Sequence, residues 1–191
     1  MNMKYIFRSV GLSAIGLASL GWVSFWFTGL NAFGPDGESN LLQWYFDNLV
    51  QGEEITSSGT PWEDLAVSLY NLLAQMTTAL LSATIVAVLL WSVGSHFLNV
   101  DAPGKAKFYF IYWIGFTGIY MAVVVGIVFW FTKSSLFVAS DYLSGSGVTT
   151  ISIVSFIYYF LVYYLGVLLG TARFARSSIL FGNKIPVSNL L

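Results

Sequence analysis

The sequence predicts an all-α membrane protein: four transmembrane helices in a bundle, both termini cytoplasmic, and a short amphipathic helix in the outer loop. Three observations predict it. First, 57% of the 191 residues are hydrophobic and 9% charged, against about 25% charged in a soluble domain; no water-soluble fold of this size has the interior to hide so much apolar surface. Second, there are four uncharged runs, 10–30, 65–99, 108–132 and 144–172, each long enough for the roughly 20 residues a helix needs to cross the hydrocarbon. Third, the basic residues gather on alternate connections, as the positive-inside rule requires.

The spans fall near 9–29, 73–95, 108–131 and 150–172, within one polytopic domain over 1–191. Lys4 and Arg8 precede the first, Lys105 and Lys107 separate the second from the third, and Arg173, Arg176 and Lys184 follow the fourth, so seven of the eight basic residues share one side. The other side receives Lys133 and eight of the nine acidic residues, all but Asp101. This pattern puts the termini in the cytoplasm and an acidic loop outside, as expected in a cell inner membrane. Residues 1–30 also have the basic-then-apolar order of a secretory leader. Their apolar run exceeds the about 7–15 residues usual there and ends in Trp22, Phe25, Trp26 and Phe27 without a clean small-x-small cleavage site, so a retained first span is expected.

Residues 31–60 are the one long polar stretch, opening on the turn signal Gly34-Pro35-Asp36-Gly37. Ser39 can cap a helix over 40–51 that Gly52 ends. Leu42, Tyr45, Phe46 and Leu49 fall at i, i+3, i+4 and i+7, so this helix is expected to lie along the outer membrane surface as an anchor, a docking surface or a lid.

Thr60-Pro61-Trp62-Glu63 is a strong helix start, with Thr at the N-cap, Pro at the first helical position and Glu three residues after the cap. A helix from Pro61 to Phe97 has 37 residues, about 55 Å at a 1.5 Å rise. Its first turns must then project beyond the hydrocarbon, or the helix must tilt. Asp64, Ser68, Asn71, Gln75, Thr78 and Ser82 follow spacings of 4, 3, 4, 3 and 4, which places them on one heptad seam. Asn and Gln are costly in lipid unless a neighbouring helix or water satisfies them. The stripe is expected to be a helix–helix seam; a polar path for a solute or ion is the sharper alternative. Ala79, Ala83 and Ala87 form a small-residue row on an adjacent face.

The other spans also carry small-residue faces: Gly11, Ala14, Ala18 and Gly21 in the first, Gly118, Ala122 and Gly126 in the third, and Gly166-xxx-Gly170 in the fourth. Each allows close helix approach. Tyr158, Tyr159, Tyr163 and Tyr164, with Phe108, Tyr109, Phe110, Tyr112 and Trp113, read as interface belts and bulky lipid or protein contacts, with a lipid or quinone groove as the sharper reading. Residues 134–148 make a second outer connection, in which Ser144-Gly145-Ser146-Gly147 reads as a flexible piece. The tail from Ser177 to Leu191 contains Pro186 and is expected to be extended or loosely docked.

Zero cysteines exclude disulfides, thiolate metal sites and a cysteine nucleophile, and one histidine, His96, excludes a multi-histidine site. No phosphate loop or HExxH motif occurs, no cofactor is expected, and a net charge of −1 offers no footprint for nucleic acid. Trp62-Glu63-Asp64 before the second span, with Gly94, His96, Val100 and Asp101 after it, resembles the small four-span membrane subunit of periplasmic-binding-protein-dependent (TRAP) transporters. The resemblance is confined to these positions, with a long Trp62-to-His96 interval, and implies an accessory subunit of a transporter. The residues themselves point to a non-enzymatic subunit of a bacterial inner-membrane assembly for secretion, conjugation or transport. Its expected partners are the lipid bilayer and other membrane subunits. The alternative is a homo-oligomeric channel or small-solute carrier with the polar stripe lining its path.

Overall fold

Three helices long and apolar enough to cross a membrane dominate the computed structural model, which describes residues 11, 16, 19–21, 62–98, 105–171, 175 and 178–180. The chain is mostly helical, with no strand among the described residues. Helix α1 is Trp62–Ser95, α2 is Lys105–Lys133, the short α3 is Val138–Asp141 and α4 is Gly145–Gly170. The expected first span, the outer loop with its helix over 40–51, and the tail beyond residue 180 lie outside the described residues, except that residues 11, 16 and 19–21 are helical.

Helix α1 matches the helix read from the Thr60-Pro61 start signal to within two residues of its expected C-terminal end. Its buried positions, Leu69, Leu72, Leu73, Met76 and Leu80, then Thr84, Val88, Trp91, Ser92 and Ser95, keep the i, i+3, i+4 rhythm of a single face. The helix tightens as it stops. The amides of His96, Phe97 and Leu98 bond to the carbonyls of Val93, Gly94 and Ser95 at 3.1, 3.0 and 3.3 Å, the three-residue pattern of a closing turn. The Ser92 carbonyl accepts instead from the Ser95 hydroxyl and from His96 Nδ1, both at 2.8 Å. A carbonyl only accepts, so Nδ1 carries the hydrogen, and the chain's one histidine closes a helix.

At the end of α2, the Thr132 hydroxyl bonds back to the Val128 carbonyl at 2.9 Å, and Lys133 occupies the last turn, where a cation suits the helix dipole. Beyond it, the Ser140 hydroxyl lies 2.6 Å from both the Ser134 and the Phe137 carbonyls, which closes the connection around α3. Residues 144–147, expected to be flexible, are instead the start of α4. Ser144 Oγ accepts the Gly147 amide at 2.8 Å, and its carbonyl accepts the Val148 amide at 2.9 Å. That is an N-cap serine satisfying a first-turn donor, which outweighs the turn preference of the glycines.

The tail also starts differently from the expectation of loose docking. Ala175, Ser178 and Ile179 are buried, the Ser178 hydroxyl reaches the Ala175 carbonyl at 2.5 Å, and the Tyr164 hydroxyl donates to the Leu180 carbonyl.

The chain divides into two units, one comprising Met1–Leu20, Ser82–Val123 and Tyr159–Leu191, the other Gly21–Leu81 and Val124–Tyr158. In the first, Val88, Trp91, Trp113, Tyr120, Val162 and Tyr163 are buried, and a methyl added at Gly16 would meet Leu169 Cδ1 at 3.2 Å. In the second, leucines of α1 are buried along with Val124, Val128 and Phe131 of α2 and Ile151 of α4. Phe131 and Phe137 face each other with ring centroids 6.0 Å apart. Lipid tails are as apolar as leucine, so in a membrane such interiors are held by dispersion contacts and interhelical hydrogen bonds rather than by the hydrophobic effect.

Candidate functional site

The polar stripe of α1 faces outward. Asn71, Gln75, Thr78 and Ser82 are exposed and Ser68 is half-buried; the side chain of Asp64 lies outside the described residues. Between residues 71 and 82 these four are the only exposed positions of α1, whereas from residue 85 onward Ile85, Val86, Leu90 and Val93 take their place. The outer face of one continuous helix thus changes from polar to apolar within a turn. In the unit that holds Asn71, Gln75 and Thr78, the other long helices turn Val125, Phe129 and Trp130 of α2 and Ile153, Val154 and Ile157 of α4 outward, with exposed polar side chains at Lys133, Ser146 and Thr149 toward their ends. Thr78 bonds back to the Ala74 carbonyl at 2.9 Å. The side-chain amides of Asn71 and Gln75 have no partner among the described residues.

The two small-residue rows that look alike in sequence separate in the structure. Gly166 and Gly170 of α4 are buried. Gly118, Ala122 and Gly126 of α2 are exposed, and a methyl added at Gly118 or Gly126 would meet nothing within 4 Å. Gly115, missed by the sequence reading, extends this open face by one turn. Helix α2 is also the least covered, with 28% of its most apolar stretch buried, against 50% in α1 and 44% in α4.

A buried hydrogen-bonded layer in the first unit also went unpredicted. Tyr120 OH donates to the Tyr159 carbonyl at 3.2 Å and lies 2.7 Å from Thr84 Oγ1. The 2.7 Å contact joins two hydroxyls, either of which can donate. Thr117 Oγ1 and Tyr163 OH are 3.1 Å apart, and Trp91 Nε1 donates to Thr171 Oγ1 at 2.9 Å. Rings join the same groups: Tyr120 stacks on Tyr163 at 4.5 Å, and Phe116 lies between Tyr163 at 6.5 Å and Trp91 at 5.8 Å. The aromatics read as belts thus divide, with Trp113, Tyr159 and Tyr163 buried and Phe108 and Tyr112 exposed. Ser92 Oγ and Trp113 Nε1 are buried without a hydrogen-bond partner among the described residues.

Beside this layer, Ala83 and Ala87 leave a groove of about 240 Å³ between α1 and α2, walled by Val86, Leu90, Phe116, Ile119, Tyr120 and Val123. Its one hydroxyl, on Tyr120, is already engaged, so the groove suits an apolar chain and offers no polar anchor. Among the described residues, no three His, Cys, Asp or Glu side chains cluster as a metal site would require.

No family model matches the chain, and neither a curated protein nor a solved structure matches it at a significant level.

Proposed function

We propose that this protein is a non-enzymatic, integral inner-membrane subunit of a multicomponent assembly for secretion, conjugation or transport, which scaffolds and docks its partners through helix faces. One observation carries the reading: the exposed face of α1 from Asn71 to Ser82 is polar on a helix apolar enough to span a membrane. Lipid is a poor solvent for the amides of Asn71 and Gln75, so such a face calls for protein or water against it. In this reading the chain crosses four times, near 9–29, 73–95, 108–131 and 150–172, with both termini cytoplasmic and the acidic loop outside. The lysines at the start of α2 support that orientation. Lys105 and Lys107 sit at a helix N-terminus, where a cation opposes the dipole by about 0.3–1 kcal/mol, so their position is better explained by retention on the cytoplasmic side.

The test is co-purification after mild extraction. Asn71→Leu combined with Gln75→Leu is expected to strip partner proteins from the complex while leaving the amount of inserted chain unchanged, because leucine is at least as compatible with lipid and with a helix. An unchanged set of partners would remove the α1 face as the docking surface. A solute path along the same face remains the second reading, favoured by the lack of charge from Ser68 to Ser82 and by the open position of Asn71, Gln75, Thr78 and Ser82. Liposomes holding only the purified protein that conduct or exchange solutes would transfer the conclusion to it.

A further inference from the structure

We propose that the occupant of the α1 face is a second copy of this chain, the two α1 helices running parallel and in register so that Asn71 meets Asn71 and Gln75 meets Gln75. The inference rests on reading this face as a docking surface and adds the identity of what docks there.

Three features of the face single out a second copy. It is neutral: Asn71, Gln75, Thr78 and Ser82 carry no formal charge, so like meets like without repulsion. Each of these side chains is also both a hydrogen-bond donor and an acceptor. An Asn amide is therefore its own complement, as a lone carboxylate or ammonium is not. Lastly, the spacing of 4, 3 and 4 from Asn71 to Ser82 keeps the residues on the seam of two helices crossing at a shallow left-handed angle.

Membrane insertion supplies the register. Two copies share one topology, so their α1 helices are parallel and each residue lies at the same depth as its counterpart. A two-fold axis along the membrane normal then sets each residue of the neutral stretch from Asn71 to Ser82 opposite itself. A different protein would need a matching polar stripe at the same depth, whereas a second copy brings one by symmetry. The pairing also accounts for the contrast within the unit holding Asn71 and Gln75: α2 and α4 turn Val125, Phe129, Ile153 and Val154 outward, side chains that lipid accepts, and α1 alone turns amides outward. Two stripes pressed together satisfy those amides against each other and leave no water path between them.

The absence of cysteine makes the test direct. Single cysteines are placed at Asn71, Gln75 or Thr78 of the full-length chain and, for reference, at Leu90 and Phe129, which are exposed off the stripe. Native membranes are then oxidised. A disulfide needs Cβ atoms about 3.5–4.5 Å apart, so a symmetric cross-link reports a residue that faces its own copy. Covalent dimers are expected from Asn71→Cys and Gln75→Cys, well above those from Leu90→Cys and Phe129→Cys; yields no higher than the references would overturn the proposal. Because each cysteine removes an amide, unmodified chains carrying two different tags are also tested for mutual capture. Capture is expected, and Asn71→Leu with Gln75→Leu should weaken it roughly tenfold or more. If that double variant sheds other proteins while tagged copies never capture each other, the docking surface stands, its occupant is a different protein, and this proposal fails. If it alters neither, the docking reading itself fails.

Discussion

The Tyr120 hydroxyl donates to the Tyr159 carbonyl at 3.2 Å and lies 2.7 Å from the Thr84 hydroxyl. The bond between α1 and α2 thus shares the Tyr120 hydroxyl with one between α2 and α4. Membrane hydrogen bonds of this kind contribute about 0.6 kcal/mol on average, so Tyr120→Phe and Thr84→Val are each expected to destabilise the detergent-solubilised protein modestly. In a double-mutant cycle read by denaturant unfolding, the pair should lose less than the sum of the single losses, by roughly 0.5–1.5 kcal/mol. Strict additivity would show that the two hydroxyls do not interact. Ser92→Ala is the control, since the Ser92 hydroxyl makes no bond among the described residues and its carbonyl contacts survive the change. None of this layer was legible in the sequence. Thr84 and Tyr120 are 36 residues apart, and spacing reports which residues share a helix face but not which face of another helix meets it.

Helices were the most legible level. The helix read over 61–97 is found over Trp62–Ser95, while its start signal at Thr60 and Pro61 lies outside the described residues. The start of α4 was misread because Gly145 and Gly147 carry the composition of a loop, while the decisive contact, Ser144 Oγ to the Gly147 amide at 2.8 Å, depends on one hydroxyl. Ser144→Ala is expected to destabilise the protein by about 1 kcal/mol and Ser144→Asp to restore most of it. Faster amide exchange at Gly147 and Val148 in the alanine variant would locate the effect; equal exchange would deny the cap. The small-residue rows show a different limit. Gly166 and Gly170 are buried and Gly118 and Gly126 open, although their spacing is identical, since a close-packing face is written in one helix and its use depends on another. The polar stripe follows the same rule: its alignment from Ser68 to Ser82 could be read from spacing, but its outward direction could not.

For the molecule as a whole, the proposed orientation places the connection after α1 and the connection after α2 on opposite sides of the membrane. Phe97 and Ser135 are exposed on these two connections, and the lack of native cysteine lets each be replaced singly by cysteine. In intact cells with a permeable outer envelope, a membrane-impermeant maleimide is expected to label Ser135→Cys at once and Phe97→Cys only after the inner membrane is opened; the reverse order would invert the topology. The outward stripe of α1 has one more property. Its residues from Ser68 to Ser82 carry no ionisable group, so the membrane voltage has no charge there on which to do work, where a single charge crossing a 100 mV potential would exchange about 2.3 kcal/mol with it. A contact made through these amides holds with the same strength in an energised membrane and in a discharged one.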